Sequence, residues 1–90
     1  MMKLRINPLV VVDLKAIKNF IVEESEDKAL ETVQEIHRQF ENIQKFPYTG
    51  ADLFIRVRAK TKYKYVVWND YVVLYKVEKD AVEIYRVINR

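Results

Sequence analysis

The sequence predicts one α+β domain over residues 1–90, with the order β-α-α-β-β-β-β and a helical hairpin packed on one face of a small antiparallel sheet. Three observations predict it. Apolar residues recur at helical spacing through the first half of the chain. After Gly50, the only glycine, the period changes to two. The helical segments are grouped ahead of the strands instead of alternating with them, which is the α+β pattern.

The elements follow in order. Lys3 to Ile6 alternates and reads as a short first strand. Asn7-Pro8 starts a helix, with Asn as cap and Pro at the first helical position. Val10, Leu14, Ile17 and Ile21 then repeat on one face, with Lys15 and Lys18 between them. Ser25 caps a second helix, and Glu26 and Asp27 suit the positive end of its dipole. Its apolar stripe is Ala29, Val33, Ile36, Phe40 and Ile43. Pro47 and Gly50 end it.

Four strands are expected beyond that break. Leu53 to Ala59 is one, Tyr63 to Trp68 the next, and Asn69-Asp70 turns the chain into Tyr71 to Val77. Glu78 to Asp80 turns it again into Val82 to Ile88. Leu53, Ile55 and Val57 form the expected core face of the first of these strands. Leu14, Ile17, Val33, Ile36 and Phe40 are expected to pack on it.

Composition narrows the function. Half of the residues are hydrophobic, which is globular composition. The chain has no cysteine, which excludes disulfides, thiolate metal sites and a cysteine nucleophile. No carboxylate or histidine cluster has metal-ligand spacing, and one glycine cannot form a phosphate-cradling loop. No metal or cofactor is expected. Apolar runs such as Leu9 to Val12 are too short to span a bilayer, and the charged start does not read as a signal peptide. A cytoplasmic location is expected.

The net charge of +3 is unevenly spread. Residues 1–22 carry about +3, residues 23–47 about −4, residues 48–65 about +4 and residues 66–90 about zero. All the cations of the third block lie in the stretch RVRAKTKYK, where Arg56, Arg58, Lys60, Lys62 and Lys64 fall on every second residue. In extended chain all five would point one way, away from the helices. Such a face is either a solvated edge that resists aggregation or a docking surface for an anionic partner.

The stretch TKYKYVVWNDYVVLYKVEKDAVEIYRVI, residues 61–88, resembles the C-terminal block of the RelE/ParE toxins of bacterial type II toxin–antitoxin systems. Tyr71, Tyr75, Lys76, Val77, Asp80, Val82, Ile84, Arg86 and Val87 fill the family's positions. FPYTG, residues 46–50, resembles its break after the second helix. The order of elements agrees along essentially the whole chain. The resemblance implies a growth-inhibiting toxin, of the kind that stabilises plasmids, neutralised by a cognate antitoxin whose acidic C-terminal segment wraps around it. ParE-like members act by binding DNA gyrase. RelE-like members are metal-independent endoribonucleases that cut mRNA on the ribosome.

The resemblance offers two sets of site residues. For antitoxin or target binding they are Arg56, Arg58, Lys60, Lys62, Lys64 and Arg86. For the ribonuclease alternative they are Arg56, Arg58, Lys60, Lys62 and Arg90. Val72 follows Tyr71 where the RelE-like set has an arginine, and the chain ends at Arg90 without the further arginine and tyrosine or histidine of that set. The expectation is therefore a ParE-like binder and not an enzyme. His37, the only histidine, sits beside the apolar stripe of the second helix and reads as a surface or boundary residue. Tyr63, Tyr65, Trp68, Tyr71, Tyr75 and Tyr85 read as strand and core packing before they read as a base-stacking platform.

Overall fold

A computed structural model describes residues 2–53 and 61–90. Its elements are β1 (Lys3–Ile6), α1 (Pro8–Val22), α2 (Glu26–Lys45), β2 (Ala51–Asp52), β3 (Tyr63–Trp68), β4 (Tyr71–Val77) and β5 (Ala81–Asn89). The α+β class and the expected order hold.

Both helices start where their caps place them. Asn7 accepts the Leu9 N–H at 2.9 Å, and Ser25 accepts the Lys28 N–H at 3.1 Å. The two stripes then turn inward. Val10, Ala29, Ile36, Phe40 and Ile43 are buried, while Leu14 and Ile17 pack partly buried against them. Their partners are Val73 and Tyr75 of β4 and Val82, Ile84 and Val87 of β5. Among the described residues the core therefore lies over the central strands; Ile55 and Val57, expected to receive the helices, lie outside them.

The sheet has the order β1-β5-β4-β3-β2. Pairing is antiparallel except at β1, which runs parallel to β5 from Lys3 beside Ala81 to Ile6 beside Ile84. The sheet is thus mixed and not purely antiparallel. The helical hairpin between β1 and the later strands supplies the long crossover that a parallel pair requires.

The strand after Gly50 also begins earlier than expected. Ala51 and Asp52 pair with Tyr65 and Lys64, and Leu53 has already left the ladder. A cross-strand ion pair of 2.8 Å between Asp52 and Lys64 supports this short pairing. The remainder of the expected strand, residues 54–60, lies outside the described residues.

A bulge in β5 positions the later site. Tyr75 pairs with Ile84, but Leu74 pairs with Arg86, so Tyr85 is the extra residue. The interruption lets Ile84 and Val87, three apart, both be buried. At the turn between β3 and β4, Asn69 takes φ 51°, a left-handed conformation that asparagine tolerates.

The segment after α2 is tied down by one buried phenol. The Tyr75 hydroxyl donates to the Pro47 carbonyl at 2.8 Å and accepts the Gly50 N–H at 3.0 Å. Burial pushes the Tyr75 hydroxyl up from its usual range, against the smaller opposing pull of the Gly50 N–H and the Lys64 charge. A Cβ at position 50 would overlap the Tyr75 hydroxyl and lie 2.9 Å from two ring carbons. The ring cannot swing away, because it is fully buried and its hydroxyl is held both as donor and as acceptor. Gly50→Ala is expected to cost about 1–3 kcal/mol, as overpacking does, read as a lowered urea midpoint. An unshifted midpoint would mean that the Pro47–Gly50 segment is not pinned by Tyr75.

Candidate functional site

The helices cover one face of the sheet, and the residues that alternate with the core residues define the other. Val72 and Leu74 of β4 lie between Tyr71, Val73 and Tyr75, and their partners across the ladder are Val67 and Tyr65 of β3. Ile88 of β5 pairs with Val72. Together with Leu53 and Arg90 these side chains line a groove of about 730 Å³ on the face away from the helices. Leu53 was expected in the core and instead lies in this groove. Leaving the ladder after Asp52 frees it from the strand alternation on which that expectation rested.

The groove floor is apolar and accessible. Val67 is 44 % exposed and Ile88 37 %. Among the described residues one cation, Arg90, lines it. The Arg90 N–H donates to the Asp70 carbonyl at 2.7 Å, and its guanidinium donates to the Asn69 carbonyl at 3.1 Å. These bonds fasten the end of β5 to the β3–β4 turn and hold the guanidinium beside the apolar floor. Farther along the same face, Tyr63 and Tyr85 pack with ring centres 4.9 Å apart, and Lys76 lies 5.8 Å from the Tyr63 ring centre. Lys76 is also bonded to Glu78 at 3.2 Å and near Glu83 at 3.6 Å. The Glu78 bond, more than any other contact, raises its pKa.

The basic residues singled out from the sequence do not gather at this groove, as far as they are described. Arg56, Arg58 and Lys60 lie outside the described residues. Lys62 is exposed. Lys64 pairs with Tyr75 in the ladder, and so turns toward the helix side, where it bonds Asp52. Arg86 is committed within the fold. Its Nε and Nη2 each donate to Asp13 of α1 at 2.8 Å, and the Val87 N–H donates to the same carboxylate at 2.9 Å. β1 stops beside Ile84, so β5 has an open edge from there onward, and Asp13 caps part of it. Burial acts to raise the Asp13 carboxyl, but the bonds from Arg86 and Val87 and the Arg86 charge outweigh it and hold it below the usual carboxylate range.

The remaining candidates take packing positions. His37 is exposed on α2 with its ring edge-on to Phe40, 5.4 Å between centres. Trp68 and Tyr71 stack against each other at the end of the β3–β4 hairpin and flank the core. Tyr75 is buried in it. No described helix is long and apolar enough to cross a membrane.

Residues 4–90 match the family model described as the ParE toxin of the type II toxin–antitoxin system, parDE. This chain belongs to the ParE toxin family. The fold agrees with that of a solved neighbour: a chain of the chromosomal ParDE TA system from P. aeruginosa superposes with a TM-score of 0.81 at 22 % identity, over 99 % of this chain and 96 % of that one. No curated protein matches the sequence. The resemblance carried by residues 61–88 is thus borne out, and the match falls on the ParE side of the RelE/ParE group.

The groove was the part of this ParE toxin that charge patterning missed. Its signal is in the sequence all the same. YVVW, residues 65–68, and YVVL, residues 71–74, are apolar at both parities. A sheet with one wet face alternates, whereas continuous apolar strands belong to sheets covered on both faces. Among the described residues, helices cover only one of them.

Proposed function

We propose that this ParE toxin acts by binding a protein target, DNA gyrase, and is held inactive by a cognate antitoxin. The observation that carries the reading is the apolar groove of Val67, Val72, Leu74 and Ile88 on a sheet face that no element among the described residues covers. Hydrophobic floors with a polar rim suit protein partners. A surface that cleaves a phosphodiester instead concentrates cations and proton-transfer groups where charge develops. Arg90 at the end of the groove gives a bound segment one carboxylate contact and fixes its register. The basic residues Arg56, Arg58, Lys60, Lys62 and Lys64 belong to this reading as steering charges for an acidic antitoxin segment.

The test is expression without the antitoxin, with messages and chromosome followed in the same cells. Accumulating double-strand DNA breaks and an SOS response, with intact messages, are expected. Introducing a charge into the groove by Leu74→Glu should abolish growth arrest while the purified variant remains folded. Codon-dependent breaks in translated messages, lost on Arg58→Ala or Lys60→Ala, would overturn the choice of target in favour of a ribosome-dependent ribonuclease.

A further inference from the structure

β2 is only two residues long, yet the next residue, Leu53, walls the sheet groove. So short a ladder needs other support. Two fasteners supply it from the helix side of the sheet. The Tyr75 hydroxyl accepts the Gly50 N–H at 3.0 Å, just ahead of β2, and donates to the Pro47 carbonyl at 2.8 Å. Lys64 bonds Asp52, within β2 itself, at 2.8 Å. Tyr75 and Lys64 are partners across the β3–β4 ladder, so both fasteners rise from one place in the sheet.

The two fasteners are unequal. The Asp52 side chain is 59 % exposed, and an ion pair with one partner in water contributes little. Tyr75 is fully buried, where a hydrogen bond is stronger than in water. Packing alone does not call for its hydroxyl, because phenylalanine would place the same ring in the core. What the hydroxyl adds is two bonds to the chain that leads into β2. They reach from β4 past β3 and hold Gly50 on the helix side. Leu53, three residues on, comes out on the groove side.

We propose that the Tyr75 hydroxyl is a positioning group for the target groove: by holding Pro47 and Gly50 it sets Leu53 as the groove wall on the β2 side. The proposal rests on the target-binding reading above and deepens it. Tyr75 lies on the opposite side of the sheet from a bound partner and acts on it only through Leu53. When its two bonds are lost, the wall loosens while the floor of Val67, Val72, Leu74 and Ile88 keeps its place in the ladder.

The chain has no cysteine, so one introduced thiol reports on one place. Leu53→Cys and, as a reference on β5, Ile88→Cys are each made with and without Tyr75→Phe. Thiol labelling is then timed at a temperature where all four proteins are folded. The Leu53→Cys thiol should react about tenfold faster with Tyr75→Phe, the change in local opening that one or two lost hydrogen bonds produce. The Ile88→Cys thiol should keep its rate. Gly50→Ala, which keeps the phenol and displaces its partner, should also accelerate Leu53→Cys. In a supercoiling assay with purified gyrase, Tyr75→Phe should weaken inhibition, and should weaken it no further once Leu53→Ala has removed the wall. An unchanged Leu53→Cys rate overturns the positioning role. Equal acceleration at both thiols overturns it too, because that is general loosening, and so does equal inhibition by the wild type and Tyr75→Phe. A wild type that leaves gyrase active overturns the target reading instead, since the labelling rates test Tyr75 without it.

Discussion

Phe40→Ala is expected to lower the stability of the domain by about 3–5 kcal/mol. The ring is 1 % exposed. It belongs to one cluster with Val10 of α1, Ile36 and Ile43 of α2, and the β4 and β5 residues Val73, Tyr75, Val82, Ile84 and Val87. Removing it deletes the apolar transfer energy of the ring and leaves a cavity between the hairpin and the sheet. Neither side can collapse easily, because α2 is tied to β1 through Gln44 and Met2, and its C-terminal exit is tied to Tyr75. A domain of this size has roughly 5–15 kcal/mol in total, so the loss consumes a large share. Urea unfolding should show a lower midpoint at an unchanged slope. Toxicity should fall with the folded population even though Phe40 lies far from the uncovered sheet face. A midpoint equal to that of the wild type would mean that α2 turns another face inward.

The helices were legible because their information is local. Asn7-Pro8 and Ser25 mark the starts, and Phe40 lies four residues from Ile36 on a stripe that only one face of a helix can align. The hairpin at Asn69-Asp70 was legible for the same reason. The parallel pairing of β1 with β5 was not, because Lys3 and its partner Ala81 are joined by no pattern short enough to read. The bulge at Tyr85 was not legible either. The resemblance put Arg86 among the residues for partner contact, and strict alternation would set it on one face with Ile84 and Ile88. The extra residue breaks that alternation, and Asp13, on an element 73 residues away in sequence, takes the guanidinium. Charge drew attention to residues 56–64, while the uncovered surfaces are apolar. Their signal was negative: strands apolar at both parities, with described elements over only one face.

Asp13→Asn is the substitution expected to change the response of this ParE toxin to acid. The carboxylate is 10 % exposed and accepts three hydrogen bonds, two from Arg86 and one from the Val87 N–H. Asparagine keeps one acceptor but loses the charge and one side of the fork. Breaking a fully buried pair costs about 3–5 kcal/mol. Arg86 is 37 % exposed and can return to water, so about 1.5–3 kcal/mol, the range for hydrogen bonds to charged groups, is expected at pH 7. The folded carboxyl titrates below its ordinary value, and the unfolded one near 3.9. Between those two values the unfolded chain binds the extra proton, so lowering the pH favours unfolding. The contribution of Asp13 is therefore complete above about pH 5, one unit above the unfolded value, and lost as the pH falls through the folded value. Other carboxylates titrate in the same range, but they do so in both proteins. The difference in unfolding free energy between wild type and Asp13→Asn isolates this one. It should be flat from pH 7 to about pH 5 and narrow steadily below that as the pH falls toward the folded value. A gap that stays constant to low pH would mean that packing of the side chain, and not its charge on Arg86 and Val87, fastens α1 to the open edge of β5.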